Sequence, residues 1–182
     1  MSNTYTLNVA GLTRELPLCK ASDDLNIAAF VMFSDVELTV AAAAELLKKC
    51  PDFDVAVTAE SKGIPLAYEM ARQSGKTYIA GRKSVKLYMT DPIEVSVKSI
   101  TTANVQKLYL SQEDVASMKG KRVLIVDDVI STGESLIALE KLTEAAGGII
   151  VGKAAVLAEG CAADRTDIIF LEKLPLFPVE KN

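Results

Sequence analysis

Arg122-Val-Leu-Ile-Val-Asp127-Asp128-Val129-Ile130-Ser131-Thr132-Gly133-Glu134-Ser135 is the stretch on which the reading of this chain turns. It opens as an unbroken aliphatic run, the pattern of a strand covered on both faces. The run ends in two adjacent carboxylates, a short loop of hydroxyls and glycine follows, and a helix then begins. At such a junction the unpaired N–H groups of the first helical turn point outward and the helix dipole adds partial positive charge. Gly133 lets the main chain come close to an oxyanion. Ser131, Thr132 and Ser135 add hydroxyl donors, with Glu134 in the helix's first turn. Asp127 and Asp128 accept hydrogen bonds only, when ionised, and so suit the vicinal hydroxyls of a sugar carrying that phosphate. The stretch contains neither G-x-x-x-x-G-K-[ST] nor G-x-G-x-x-G, which counts against nucleoside triphosphate hydrolysis and dinucleotide binding. The plain alternative is two acids that end a strand and a hydroxyl that caps a helix.

Outward from this stretch the pattern repeats. Asp54-Val-Ala-Val-Thr-Ala59 and Ile149 to Leu157 read as further buried strands, and Thr77 to Gly81 as another. Ser34-Asp-Val-Glu37 has the spacing of a capping box opening a helix over Leu38 to Lys49. Gly63 to Gln73 and Glu134 to Ala146 have helical spacing, the latter stopped by Gly147-Gly148. Strand and helix in alternation predict an α/β domain with a mostly parallel sheet. Two regions break the rhythm. Val95 to Ile100 and Val105 to Leu110 alternate apolar and polar residues around Thr102-Ala-Asn104, as in an inserted antiparallel hairpin. The first thirty residues, with Tyr5 to Val9 and Leu16 to Cys19, are strand-like and predict a small cap over the main sheet.

Composition fits one compact domain. Of 182 residues, 49% are apolar and 24% charged, enough to build a core. The 20 Lys and Arg against 24 Asp and Glu give a net charge of -4, which argues against broad nucleic-acid binding. The chain has no His, so Ser-His-Asp and Cys-His nucleophiles, His-ligated zinc and an imidazole base are excluded. Cys19, Cys50 and Cys161 are far apart and form no C-x-x-C pair, as expected of free thiols in a reducing cytosol. The start lacks a leader pattern and the apolar run Ile27 to Phe33 is too short to span a bilayer, so a cytoplasmic protein without membrane partners is expected.

The run Val123 to Ser135 closely resembles the phosphoribosyl pyrophosphate (PRPP) motif of the type I phosphoribosyltransferases: four apolar residues, two acids, two apolar residues, then Ser-Thr-Gly. The resemblance implies that Ser131, Thr132, Gly133, Glu134 and Ser135 hold the 5-phosphate and that Asp127 and Asp128 hold the ribose hydroxyls. Glu60-Ser61-Lys62-Gly63 resembles the Glu-Ser-Arg-Gly pyrophosphate loop of the adenine type, with Lys62 in place of Arg. Arg82-Lys83-Ser-Val-Lys86-Leu87 resembles the Arg-Lys-x-x-Lys-Leu segment of the adenine and xanthine types, whose cations are associated with the diphosphate. Three cations in five residues are also a local anion site in their own right. Candidate base contacts are Phe30 in the cap and Glu159 after the Ile149 to Leu157 strand, because family members read the base from those two places.

The fold so implied is a single type I phosphoribosyltransferase domain over 1–182. Residues 1–33 would be a hood, 34–157 a core with a flexible hairpin lid at 84–110, and 158–182 a base-side segment. The activity implied is transfer of the 5-phosphoribosyl group of PRPP to a purine, adenine favoured, giving AMP and pyrophosphate. The alternatives are xanthine, hypoxanthine or guanine as the base, or a PRPP-sensing protein without turnover. Mg2+ would be held mainly by PRPP, near Asp127 and Asp128, and the family resemblance implies a homodimer. Adenine-type members carry a Glu in the mobile loop; counting back from Asp127, that position is Asn104, and Val95 to Leu110 contains no carboxylate.

Overall fold

The computed structural model describes residues 4–98 and 105–179. The chain begins with three antiparallel strands, β1 (Thr4–Val9), β2 (Leu12–Ser22) and β3 (Leu25–Ala28), which form the expected cap. Helix α1 (Val36–Lys49) follows. Its cap is Asp35, whose side chain accepts from the Leu38 N–H at 3.1 Å, rather than the Ser34 that heads the capping-box spacing. The reason is tertiary: Arg14 of β2 grips both oxygens of Asp35, at 2.7 and 3.0 Å, and fixes it at the helix start.

Next come β4 (Val55–Ala59), α2 (Ile64–Ser74) and β5 (Thr77–Gly81). The hairpin is β6 (Ile93–Lys98) against β7 (Val105–Leu110), with Ile93 opposite Leu110. The expected turn, including Asn104, lies outside the described residues. A helix not anticipated from sequence, α3 (Gln112–Met118), carries a capping box between Ser111 and Asp114; seven residues are too few to show a helical period. The deciding stretch forms β8 (Arg122–Ile130) and α4 (Glu134–Ala145). It is followed by β9 (Ile149–Glu159), a short 3-10 helix (Gly160–Asp164), β10 (Ile169–Leu174) and β11 (Leu176–Pro178).

Five strands make the central sheet in the order β10-β9-β8-β4-β5, and every pairing in it is parallel. From β4 the chain moves outward to β5; when it returns it enters on the other side of β4, as β8, and moves outward again to β9 and β10. The direction of winding reverses between β4 and β8, and ligands of open α/β sheets bind beyond the carboxyl ends of strands at such a point. The alternation of β8 explains its all-apolar start. Leu124 and Val126 pack with Leu38, Leu46, Leu66 and Met70 of α1 and α2 on one face. Val123 and Ile125 pack with Leu136, Leu139 and Leu142 of α4 and with Leu108 and Leu110 of the hairpin on the other. The carboxyl-terminal β11 leaves the core and joins the cap, completing a four-stranded sheet ordered β1-β2-β3-β11. Three residues including Pro178 give no strand signal in sequence, and an edge position is where a proline is tolerated.

Candidate active site

At the end of β8 the chain passes through Ser131-Thr132-Gly133 into α4. Gly133 is the helix N-cap, left-handed at φ 82°, and no side chain caps the helix start. The helix start borders a small cavity of about 40 Å³ bounded by Asp127, the residues from Val129 to Leu136 and their hydroxyls. An anion fits this geometry. A Cβ on Gly133 would stand 2.9 Å from Arg165 Nη1, so glycine is needed for space as well as for φ.

Asp127 borders both this cradle and a second cavity of about 370 Å³, which Asp128 also lines. Both acids are buried, 9% and 5% exposed. Asp127 Oδ1 accepts from the Asp128 N–H at 2.9 Å. Burial, and then the neighbouring Asp128 charge, push the Asp127 carboxyl well above the usual carboxylate range. Lys62 Nζ lies 3.2 Å from Asp128 Oδ2. That oxygen nonetheless makes no aligned hydrogen bond, so it is paired by charge alone. The same ammonium donates to Phe30 O at 3.0 Å, joining the β4–α2 loop to the end of the cap.

Lys62 is thus brought to the acid pair rather than to the other cations. Arg82, Lys83 and Lys86 gather instead around Glu60, whose carboxylate accepts from the Lys83 N–H at 2.9 Å and lies 3.6 Å from Arg82 Nη1 and 3.3 Å from Lys86 Nζ. These donors, the Lys83 amide foremost, hold Glu60 below its ordinary pKa. Ser61 bonds back to Ala59 O at 3.4 Å. Gly63 has no room for a side chain, since a Cβ would meet Thr58 Oγ1 at 2.7 Å and Asp127 Oδ1 at 2.9 Å. The loop after β4 and Asp127, within β8, are packed against each other at this glycine; the strand runs on past the two acids to Ile130.

The larger cavity continues past the acids between Ile27 to Val31 of the cap, Glu159 and Leu174. Glu159 is half-buried, and its burial raises its pKa while Lys62 opposes the shift. Phe30 sits on the cavity wall but is only 3% exposed and packs in the core. Stacking of its ring on a flat ligand would require the side chain to leave that position. Residues that sequence reasoning passed over are Thr58, Arg165 and Leu174. None lies in a motif, and only the fold sets them beside one.

A parallel sheet, with a helix start, an acid pair and two cavities meeting at its switch point, defines an α/β protein with its candidate site at the carboxyl ends of its strands. The chain belongs to the phosphoribosyl transferase domain family, whose profile matches residues 33–176. It is 37% identical over 114 residues to the hypoxanthine/guanine phosphoribosyltransferase of Methanothrix thermoacetophila, covering 63% of this chain and 56% of that one. It is 37% identical over 128 residues to the adenine phosphoribosyltransferase of Cenarchaeum symbiosum, covering 68% of this chain and 72% of that one. The chain thus spans little more than half the length of the first relative and more of the second. Adenine phosphoribosyltransferase from Thermoanaerobacter pseudethanolicus superposes with a TM-score of 0.70 at 22% identity, covering 87% of this chain and 95% of that one. That likeness is one of fold, a type I phosphoribosyltransferase fold.

Proposed function

We propose that the protein transfers the 5-phosphoribosyl group of PRPP to a ring nitrogen of a purine base, with adenine the favoured base. The bond from the sugar's anomeric carbon to the diphosphate oxygen breaks, a carbon–nitrogen bond forms, and pyrophosphate leaves with the bonding electrons. The observation that carries this reading is the meeting, at one switch point, of an uncapped helix N-terminus, two buried acids and a cavity walled by Ile27, Glu159 and Leu174. In it the 131–135 loop anchors the 5-phosphate, Asp127 and Asp128 orient the ribose, and Lys62, Arg82, Lys83 and Lys86 receive the diphosphate. Glu60, Ser61 and Gly63 shape that side, and Glu159 faces the base. No protein nucleophile is needed, so the absence of His is no obstacle; catalysis comes from positioning and from stabilising the departing diphosphate.

A Mg2+ carried by PRPP suits this site, because hard cations take carboxylate oxygens and the buried Asp128 Oδ2 has no hydrogen-bond donor. It would neutralise the charge that builds on the leaving group. Asp127 and Asp128 would be the residues nearest to it. Among the described residues no cluster of three or more acids, His or Cys has metal-binding geometry. The hairpin is proposed as a lid that keeps water from the sugar. No helix among the described residues is long and apolar enough to cross a membrane. The reading extends to a cytoplasmic homodimer. Val36, Val40 and Tyr68, exposed around a cavity of about 200 Å³ on α1 and α2, are an apolar face suited to a second copy.

The reading is tested by offering the purified protein PRPP and Mg2+ with adenine, hypoxanthine, guanine, xanthine and orotate separately, and detecting nucleotide and pyrophosphate by mass spectrometry. AMP with pyrophosphate is expected. Product from another purine names a different base, and PRPP binding with no product from any base replaces the transferase with a PRPP sensor.

A further inference from the structure

The 5-phosphate cradle is short of positive charge. None of the residues that line it is Lys or Arg. A sugar phosphate near neutral pH brings roughly -1.5 to -2 charges, whereas a helix N-terminus supplies only about +0.5. Binding there depends on the N–H groups being held in place, and the fold sets a side chain against them from the segment after the 3-10 helix.

Arg165 lies against the main chain where the loop becomes α4. Its Nη1 stands 2.9 Å from the place a Gly133 Cβ would take. Its other two nitrogens are already committed: Nε donates to Asp167 Oδ1 at 2.9 Å and Nη2 to Asp167 Oδ2 at 2.7 Å. Asp167 in turn accepts from Lys153 at 2.6 Å, and Lys153 donates to Glu140 of α4 at 2.7 Å. The guanidinium is thereby locked in one orientation, two N–H groups on Asp167 and the third nitrogen toward Gly133. A planar, permanently charged fork meets both demands at once, as an ammonium does not.

We infer that Arg165 is a positioning residue for the 5-phosphate, holding Gly133 and the first turn of α4 in anion-binding geometry. This rests on the transferase reading above. The inference separates the two phosphate ends of PRPP, because Arg165 touches the cradle and not the cluster around Glu60. Binding of ribose 5-phosphate and of pyrophosphate is measured separately by calorimetry on the wild type, Arg165→Gln and Arg165→Lys, each checked for fold by circular dichroism. Arg165→Gln is expected to weaken ribose 5-phosphate by about ten-fold while pyrophosphate binding stays at the wild-type value, and Arg165→Lys to fall between. An unchanged ratio of the two affinities in Arg165→Gln overturns the inference, as does equal loss of both, which marks a merely structural residue. Should Arg165→Gln fail to fold, the ratio in Arg165→Lys decides on the same terms. Wild-type protein that binds neither anion removes the transferase reading and this inference with it.

Discussion

Asp127 and Asp128 are adjacent in sequence and alike in chemistry, yet their surroundings assign them different costs. Asp128 has Lys62 at 3.2 Å, whereas Asp127 is buried with its neighbour's charge as a main influence. Its carboxyl therefore binds a proton more tightly in the folded than in the unfolded chain. A raised carboxyl pKa contributes stability that is complete below the unfolded value, about 3.9, and is lost as pH rises through the folded one. Asp127→Asn keeps the oxygen that accepts from the Asp128 N–H and removes the charge. The variant is expected to melt a few degrees above the ligand-free wild type near about pH 8, with the gap closing toward about pH 5. A gap that widens on acidification in scanning calorimetry refutes the buried-charge account. For Asp128→Asn the expectation is an intact fold with transfer strongly reduced, because a charge-assisted sugar contact contributes about 1.5 to 3 kcal/mol. Wild-type turnover in that variant takes Asp128 out of the mechanism.

Among the elements, the β6–β7 hairpin carries two roles. Its alternating pattern marks a surface hairpin in sequence, but Leu108 and Leu110 are fully buried and Val97 nearly so, packed with Leu136, Leu139 and Leu142 of α4. The hairpin is thus anchored in the core, and it abuts the helix that begins at the candidate phosphate loop. Gln106 reaches Ser135 at 3.5 Å along the same line. Leu108→Ala is expected to destabilise the protein by about 2 to 4 kcal/mol, as for other fully buried leucines. Urea unfolding measures this; a loss under about 1 kcal/mol would mean that the hairpin packs independently of the core. The helix boundaries carry a related lesson. Local spacing placed the α1 cap at Ser34, and the distant Arg14 moved it to Asp35.

At the level of the whole molecule, the cap is not an amino-terminal element alone, because β11 closes its edge beside β3 with Leu176 opposite Ile27. The side of the cavity proposed to face the base, Ile27 to Val31 with Leu174 and Glu159, is therefore assembled from segments far apart in sequence. A chain stopped after Pro175 is expected to keep the central sheet while the β3 amides exchange faster with deuterium and the KM for the base rises more than that for PRPP. Unchanged β3 exchange would show that β11 contributes nothing to the cap.

The sequence by itself determined the sheet class and the stretch proposed as the site. Strand, acid pair, hydroxyl loop, glycine and helix start are contiguous in β8 and α4, and each follows from local rules of burial, backbone freedom and helix ends. Tertiary structure alone decided how the charges are shared. Lys62, which stands with the pyrophosphate loop in sequence, reaches Phe30 O 32 residues away and the buried Asp128. Glu60 collects the Arg82 and Lys86 cations and the Lys83 main-chain N–H, and Arg165 settles over Gly133. Such pairings are long-range competitions among many ions of either sign. Which partner each ion takes depends on distance and burial, and these exist only once the sheet has brought the loops together.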